Sequence, residues 1–437
     1  TAAPVVPEAG AAVRAQNLAS LPRGVDPRTR NFVNTTTDLN NPRAQTYSLG
    51  LQYSIHNDVV LGATYIGNHV SRQFQSFNAN PYLLPVATAF PSYAPPSSLC
   101  QDSTTIGYGH LNCSQGNVET RGNTAFSNYN SLQLQMQTRS YRGLTTTASY
   151  TYSRVIANAD EVYSATSLGA GTDTSLAFAQ NPLDIDAAER GLANYSYPNI
   201  VSIGMVYELP FYKNQSSLMG RALGGFEIAP TYMFHEGQPW TAYQSIQATT
   251  FTDPTDTGSG INTTSYCDHL FAAAIIGGTD NCRPVLANAK APAGSVGVYV
   301  VDPTQSFTTN GTGYYNYTST DANGKLNAPI TKTDAHWLYN NQAYANLVGN
   351  PYPGAPRAIS RGQSFNNLDA TIIKNTAIRE GISLKLYMNV FNVLNHQFLG
   401  TPDSSIEDVG SFGSTAFNFE PSANNSRNII LGGKIVF

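Results

Sequence analysis

The sequence predicts an all-β fold: an antiparallel, up-and-down transmembrane β-barrel, of which this chain supplies about nine strands and a set of long extracellular loops. Three observations carry that expectation. Charged residues are only 12% of the 437, while aromatics reach 11%, with 26 Tyr and 19 Phe; an ordinary soluble domain is about 25% charged. Several segments alternate apolar and polar residues, which marks strands with two unlike faces. The connections between those segments are short and long in turn, as in bacterial outer-membrane barrels.

The strands can be read in order. Tyr47, Leu49, Leu51, Tyr53 and Ile55 form one face of the first, with Ser48, Gly50, Gln52 and Ser54 on the other; Val59, Leu61, Ala63 and Tyr65 mark the second. In the third, Leu132, Leu134 and Met136 alternate with Ser131, Gln133, Gln135 and Gln137. The fourth sets Leu144, Thr146, Ala148, Tyr150 and Tyr152 against threonines and serines, and the fifth carries Val201, Ile203, Met205, Tyr207 and Leu209. Phe226, Ile228, Tyr232 and Phe234 give the sixth, interrupted by Pro230, which has no N–H to offer a ladder. The seventh, near Leu368, Ala370 and Ile372, turns tightly into the eighth, where Ile382, Leu384, Leu386, Met388 and Val390 oppose Ser383, Lys385, Tyr387 and Asn389. Ile429, Leu431, Gly433, Ile435 and Phe437 form the ninth.

Short connections are expected near 56–57, 140–142, 210–221 and 377–380, and long ones near 71–125, 157–195, 245–363 and 398–425. Hydrocarbon offers no hydrogen-bond partners, so backbone groups in a membrane must pair between strands. Apolar faces then meet outer-membrane lipid and polar faces meet the lumen. That assignment puts Gln133, Gln135, Gln137, Lys385, Asn389 and Lys434 on the inner wall, and Tyr47, Tyr53, Tyr65, Tyr152 and Tyr207 at interfacial girdles. Residues 1–42 read as an extracellular loop segment and 43–437 as barrel strands. A bacterial barrel has an even strand number and normally starts inside, so nine strands entered from outside lead to the expectation of further strands before Thr1.

Composition also excludes classes. With 28 acidic and 24 basic residues the net charge is -4, so no basic stripe is available for nucleic acid. No apolar run approaches the ~20 residues of a transmembrane helix. The N-terminal Thr1-Ala2-Ala3-Pro4 lacks a secretory signal, which is read as cleaved or as lying upstream. Cys100 with Cys113 and Cys267 with Cys282 fall in two local, turn-rich segments, which points to loop-closing disulfides in an oxidising compartment; a zinc site is the competing reading, without CxxC spacing or a histidine pair behind it. Seven dispersed histidines make no HExxH, and neither a phosphate loop nor a nucleophile elbow is present. No metal, cofactor or enzymatic activity is therefore expected. Asp253 with Asp256, or Asp302 with Asp321, are weak calcium candidates, and Asp184, Asp186 and Glu189 are expected to be solvated or paired locally with Arg190.

Specific runs resemble a family. Ser127-Asn-Tyr-Asn-Ser-Leu-Gln-Leu-Gln135, then Arg142-Gly143-Leu144 and Ala148-Ser-Tyr-Thr-Tyr-Ser153, resemble a hairpin in the barrels of Oar-like TonB-dependent transporters. So do Glu189-Arg-Gly191, Tyr207-Glu-Leu-Pro-Phe211, Gly224-Gly225-Phe226 through Gly237-Gln-Pro-Trp240, Phe365-Asn-Asn-Leu-Asp369, Lys374-Asn375, Phe391-Asn392, Leu394-Asn-His396 and the terminal Phe437. The resemblance implies a Gram-negative outer-membrane location, a 22-stranded barrel of which these would be the last nine strands, and energy-coupled uptake. It further implies a plug, a TonB-engaging segment and often a carboxypeptidase-regulatory-like domain, all N-terminal to this chain. Phe437 resembles the signal read by the barrel-assembly machinery. The expected substrate is large or scarce, an oligosaccharide or a peptide, gripped by long-loop aromatics such as Gly313-Tyr-Tyr-Asn-Tyr317. A surface protein that merely displays its loops, or a passive pore, are the alternatives.

Overall fold

The computed structural model describes residues 32–159, 181–245, 281–301, 312–319, 328–415 and 426–437, a few single positions within them excepted. Nine long strands follow one another in a single antiparallel meander: β1 (Arg43–His56), β2 (Val59–Asn78), β3 (Val118–Tyr141), β4 (Leu144–Ala157), β5 (Asn199–Glu208), β6 (Phe226–His235), β7 (Phe365–Arg379), β8 (Ile382–Phe391) and β9 (Asn428–Val436). Each pairs with its neighbours in sequence, so the expected all-β architecture holds. Among the described residues β1 and β9 do not meet, and the sheet is open at both. Two short segments lie beside this path: Phe32–Thr35 runs parallel to the start of β3, and Gly191–Leu192 pairs with the end of β4.

The turns explain why the meander is tight at one end. Arg142 and Gly143 both have positive φ, 54° and 85°, the twist that suits a two-residue hairpin. A side chain at position 143 would also approach the Glu208 carbonyl oxygen to 3.0 Å. Gly381, with φ 77°, does the same work between β7 and β8. The fourth short connection, 209–225, carries helix α1 (Leu218–Leu223), capped by the Ser217 hydroxyl, which accepts from Gly220 N–H. Because β7 extends past β6, its free edge is closed by this connection: Asn375 N–H donates to Gly225 O, and the Gln215 amide donates to Asn375 O and accepts from Ala377 N–H, at 2.7–2.8 Å.

At the opposite end the structure departs from expectation. β2 and β3 run on through 71–78 and 118–125, which the alternation had left as loop, with pairs from Gln73↔Ala125 to Asn78↔Glu119. At 24 residues β3 is more than twice the ~9–11 needed to cross a bilayer. Its extension touches protein on both sides, with Val118, Thr120 and Ala125 buried, so no two-faced pattern is written there.

The long connections also fold. Within 236–364, five short strands make a second sheet in the order Val285–Leu286, Trp337–Leu338, Val296–Val300, Gly313–Asn316, Pro329–Ile330. Its core of Val298, Tyr315 and Trp337 takes in Ile406 and Phe412 from the connection before β9. Leu83, Val86, Phe90 and Leu99 from the β2–β3 connection pack with Ala345 and Tyr352. The described parts of the long connections thus form a loop layer with buried apolar groups of its own.

Cys100 and Cys113 are disulfide-bonded. Of the second expected pair, Cys267 with Cys282, Cys267 lies outside the described residues. Beside the bond, His110 is buried and its Nδ1 lies 2.7 Å from Asn80 O. Burial lowers its pKa below the ordinary histidine value, against the raising effect of the Asn80 and Pro81 backbone. The opened loop binds a proton below about pH 6.5, where the folded loop resists it. His110 therefore supports the closed loop above that pH, and the support is lost as pH falls toward the folded pKa. Exchange protection over 79–117 is expected to drop between pH 7.5 and 5.5, and to drop less in His110→Asn.

Candidate functional site

The register sorts side chains into two faces. On one, Leu51, Ala63, Leu134, Tyr150, Val201 and Phe234 stand side by side across β1 to β6, and a second row of the same face, Tyr207, Ile228, Ile372, Met388 and Leu431, runs from β5 to β9. This face is exposed: Leu51 is 71% accessible and Leu431 75%. Large apolar groups so open to the surroundings are not the surface of a protein in water. Small residues floor a shallow groove here of about 490 Å³, with Ala63 and Ala148 between walls of Leu51, Leu134 and Met136. Phe437, just past the end of β9, is 96% exposed.

The other face carries the glutamine, asparagine, threonine and lysine rows, with Ile66, Ile200, Val206 and Ile430 interspersed among them. Gln135 sits between Gly62 and Ser149, Gln133 between Thr64 and Thr151, and Gln137 between Val60 and Thr147. Farther round, Asn389 accepts from the Thr371 hydroxyl at 3.0 Å, and Lys385 pairs across strands with both Asn375 and Lys434. All six residues assigned to an inner wall thus share one face. Its short-turn end is divided by charge. Glu208 and Glu227 are paired across β5 and β6, whereas Lys385 and Lys434 face each other across β8 and β9, an arrangement of like charges that costs stability unless something acidic covers it.

At the loop-side end the same polar face carries a cluster the sequence reading missed. His235 and Phe365 are cross-strand partners stacked at 5.0 Å with planes 6° apart; Tyr197 meets His235 edge-on at 4.8 Å, and Phe398 stacks on Phe365 at 4.7 Å. His396 follows Phe398 at 6.0 Å. Beside the stack, Glu236 accepts from the Asn199 amide and lies 3.9 Å from Arg361, whose Nη1 donates to the Ser196 and Gly237 carbonyls. The result is a half-buried aromatic platform with one acid and one base at its rim. Such a surface takes flat or ring-shaped groups by stacking and fixes them by a few polar contacts. Its residues come from four separate segments, and the signal in the sequence was only that Phe365 and His396 begin and end quoted motifs.

Two loop expectations change. Glu189, at the end of helix α2 (Ile185–Glu189), is fully buried and pairs not with Arg190 but with Arg283, at 2.8 and 2.9 Å in a two-pronged contact. Asp184 and Asp186 are exposed, as expected of solvated loop residues; Asp184 caps α2 by accepting from Ala187 N–H, and Asp186 accepts from Asn158. Tyr315 and Tyr317, expected to grip a ligand, are 2% and 3% exposed, and Tyr317 stacks on Tyr339 at 5.4 Å. They belong to the loop core because the strand Gly313–Asn316 lies inside the small sheet. Asp253, Asp256, Asp302 and Asp321 lie outside the described residues, and among the described residues no group of three or more His, Cys, Asp or Glu is placed to hold a metal.

Comparison with known proteins gives the following. A family model described as "Outer membrane beta barrel domain" matches residues 2–291 and 295–429. A search of the curated proteins finds no match. Among solved structures, the chain is similar to the ferric-catecholate import receptor Fiu from E. coli K12, at 8% identity and a TM-score of 0.34, covering 92% of this chain and 28% of that one. It is also similar to the siderophore receptor PiuA from Acinetobacter baumannii, at 7% identity and TM-score 0.35 over 90% and 28%, and to the E. coli outer membrane transporter YddB, at 10% and 0.31 over 92% and 33%. The chain therefore spans about a third or less of the length of these proteins.

Proposed function

The chain belongs to the outer membrane beta-barrel domain family and to the bacterial outer membrane, and from that premise we propose that it is the C-terminal barrel portion of a TonB-dependent importer of the Oar-like kind. The carrying observation is the nine-strand sheet, open among the described residues, with one face dominated by large apolar groups and the other carrying the glutamine, asparagine, threonine and lysine rows. In lipid, an unpaired strand edge leaves backbone groups that cost several kcal/mol each. Among the described residues the edges of β1 and β9 are unpaired, which calls for further strands, and the resemblance supplies them as the N-terminal part of a larger barrel. The apolar face meets lipid, and Gln133, Gln135, Gln137, Lys385, Asn389 and Lys434 line the lumen. The lysine pair at the short-turn end is suited to an acidic surface of a plug, and the aromatic platform to a ring-bearing substrate such as an oligosaccharide. Barrel-assembly machinery would read Phe437. On this reading catalysis is no part of the chain's role.

Uptake tests it. Deleting the encoding gene and, separately, deleting TonB should each reduce accumulation of the same members of a panel of labelled oligosaccharides and peptides by about tenfold or more. In the full-length protein, Phe365→Ala with His235→Ala should weaken binding of those members by about tenfold, roughly 1.4 kcal/mol. Surface binding that needs the gene but neither TonB nor entry into the cell would replace import by display. That second reading is favoured by the loop layer, which has its own apolar core and a disulfide.

A further inference from the structure

The 209–225 connection is unlike the other short turns. Phe211, Tyr212, Leu218, Met219 and Leu223 are exposed at 62%, 55%, 86%, 60% and 48%, a density of bare apolar groups that water disfavours. Its position on the sheet is fixed by Lys374, which belongs to the apolar row opposite Phe226 and Leu386. The Lys374 ammonium lies over the Phe226 ring and donates to the carbonyls of Arg221 and Gly224. Helix α1 is thereby held against the short-turn rim of the lipid-facing side. Between it and the β7–β8 turn runs a groove of about 570 Å³ lined by Arg221, Ile378, Arg379, Glu380 and Ile382. A bulge between Ala377 and Arg379 returns Arg379 to the register of Ile382, on the apolar face. Among the described residues neither Arg221 nor Arg379 forms an ion pair; with Lys374 and exposed Lys213 they set four cations against Glu380, while Glu208 and Glu227, at the two ends of the connection, lie on the opposite face of the sheet.

We propose that this rim is a binding site for an anionic phospholipid of the inner leaflet. The acyl chains continue over Ile378, Ile382 and the apolar face, the helix lies in the interface with Leu218, Met219 and Leu223 among the chains, and Arg221 and Arg379 hold the headgroup phosphate. The argument rests on continuity of the patch with the lipid-facing surface and on complementary charge. Apolar side chains beside arginines are the composition of helices that lie at membrane surfaces, and an Arg fork fits phosphate geometry. The proposal uses only the membrane placement of the sheet and is independent of transport.

The test uses the full chain purified in mild detergent and equilibrated with equal amounts of phosphatidylglycerol and phosphatidylcholine, with retained lipid read by native mass spectrometry. Wild type is expected to retain phosphatidylglycerol at least fivefold over phosphatidylcholine, and Arg221→Gln/Arg379→Gln to bring the ratio below twofold, with folding monitored by heat-modifiable gel mobility. Arg221→Lys/Arg379→Lys should keep most of the preference, and soluble glycerol phosphate should not displace the lipid. Equal retention of both lipids by wild type, or a preference that survives the double glutamine variant, overturns the proposal. Should that variant fail to fold, wild type in about 0.5 M salt decides, because a headgroup held at this rim must lose its preference severalfold. Failure of the membrane placement itself would look different: no insertion into bilayers of any composition.

Discussion

Glu189→Ala is expected to open the loop layer at a cost of about 3–5 kcal/mol, the range for leaving one member of a buried ion pair without its partner. Glu189 is fully buried and Arg283 is 4% exposed; two parallel hydrogen bonds join them, and Arg283 Nε also donates to Ala355 O at 2.8 Å. This contact ties the segment before β5 to the start of the small sheet and to the segment before β7. Without the carboxylate, the guanidinium must either stay in a dry site or drag its strand into water. Hydrogen exchange should show lost protection at 283–300 and 335–358, with the β1–β9 ladder unchanged. The double variant Glu189→Leu/Arg283→Met should recover much of the loss, since an apolar pair of similar volume removes both desolvation costs.

Leu134→Arg is expected to destabilise the inserted sheet by about 2–4 kcal/mol, whereas Gln135→Arg, one residue along, should change it by less than about 0.5 kcal/mol. Leu134 lies between Ala63 and Tyr150 in the middle of the apolar row; Gln135 lies between Gly62 and Ser149 on the other face. The same cation thus meets hydrocarbon at one position and water at the next. Folding into phospholipid vesicles across a guanidinium series, read by heat-modifiable mobility, measures both variants. Similar costs for the two would show that the faces do not meet different media.

How much of this was legible follows from which surroundings wrote each segment. In β1 to β9 the alternation Leu132–Gln137 or Ile382–Val390 is readable because lipid and water impose opposite demands on successive residues, and the turn at Arg142–Gly143 is readable from its glycine. Beyond the membrane that rule lapses: Gln75 is fully buried in a strand whose next-but-one neighbours are Gln73 and Phe77, so 71–78 carried no pattern. The small loop sheet was hidden for another reason. Most of its strands are two residues long and drawn from distant places, so pairing, not local preference, defines them. Aromatic density misled at Tyr315 and Tyr317, because a tyrosine-rich run serves a ligand surface or a core equally well. Glu189 and Arg283 are 94 positions apart, and Tyr197, His235, Phe365 and Phe398 meet only once β5, β6 and β7 are in register. The six residues Gln133, Gln135, Gln137, Lys385, Asn389 and Lys434 needed no such assembly, since the face of each is set by its own strand.

Successive residues of one strand face hydrocarbon and water in turn. Single tryptophans at positions 132 to 137, in full chain inserted into bilayers of brominated phospholipid, report it directly, with Trp240 and Trp337 of the loop layer as a constant background. Strong quenching at 132, 134 and 136 with little at 133, 135 and 137 is the predicted result. Uniform quenching along the strand, or none, would contradict it.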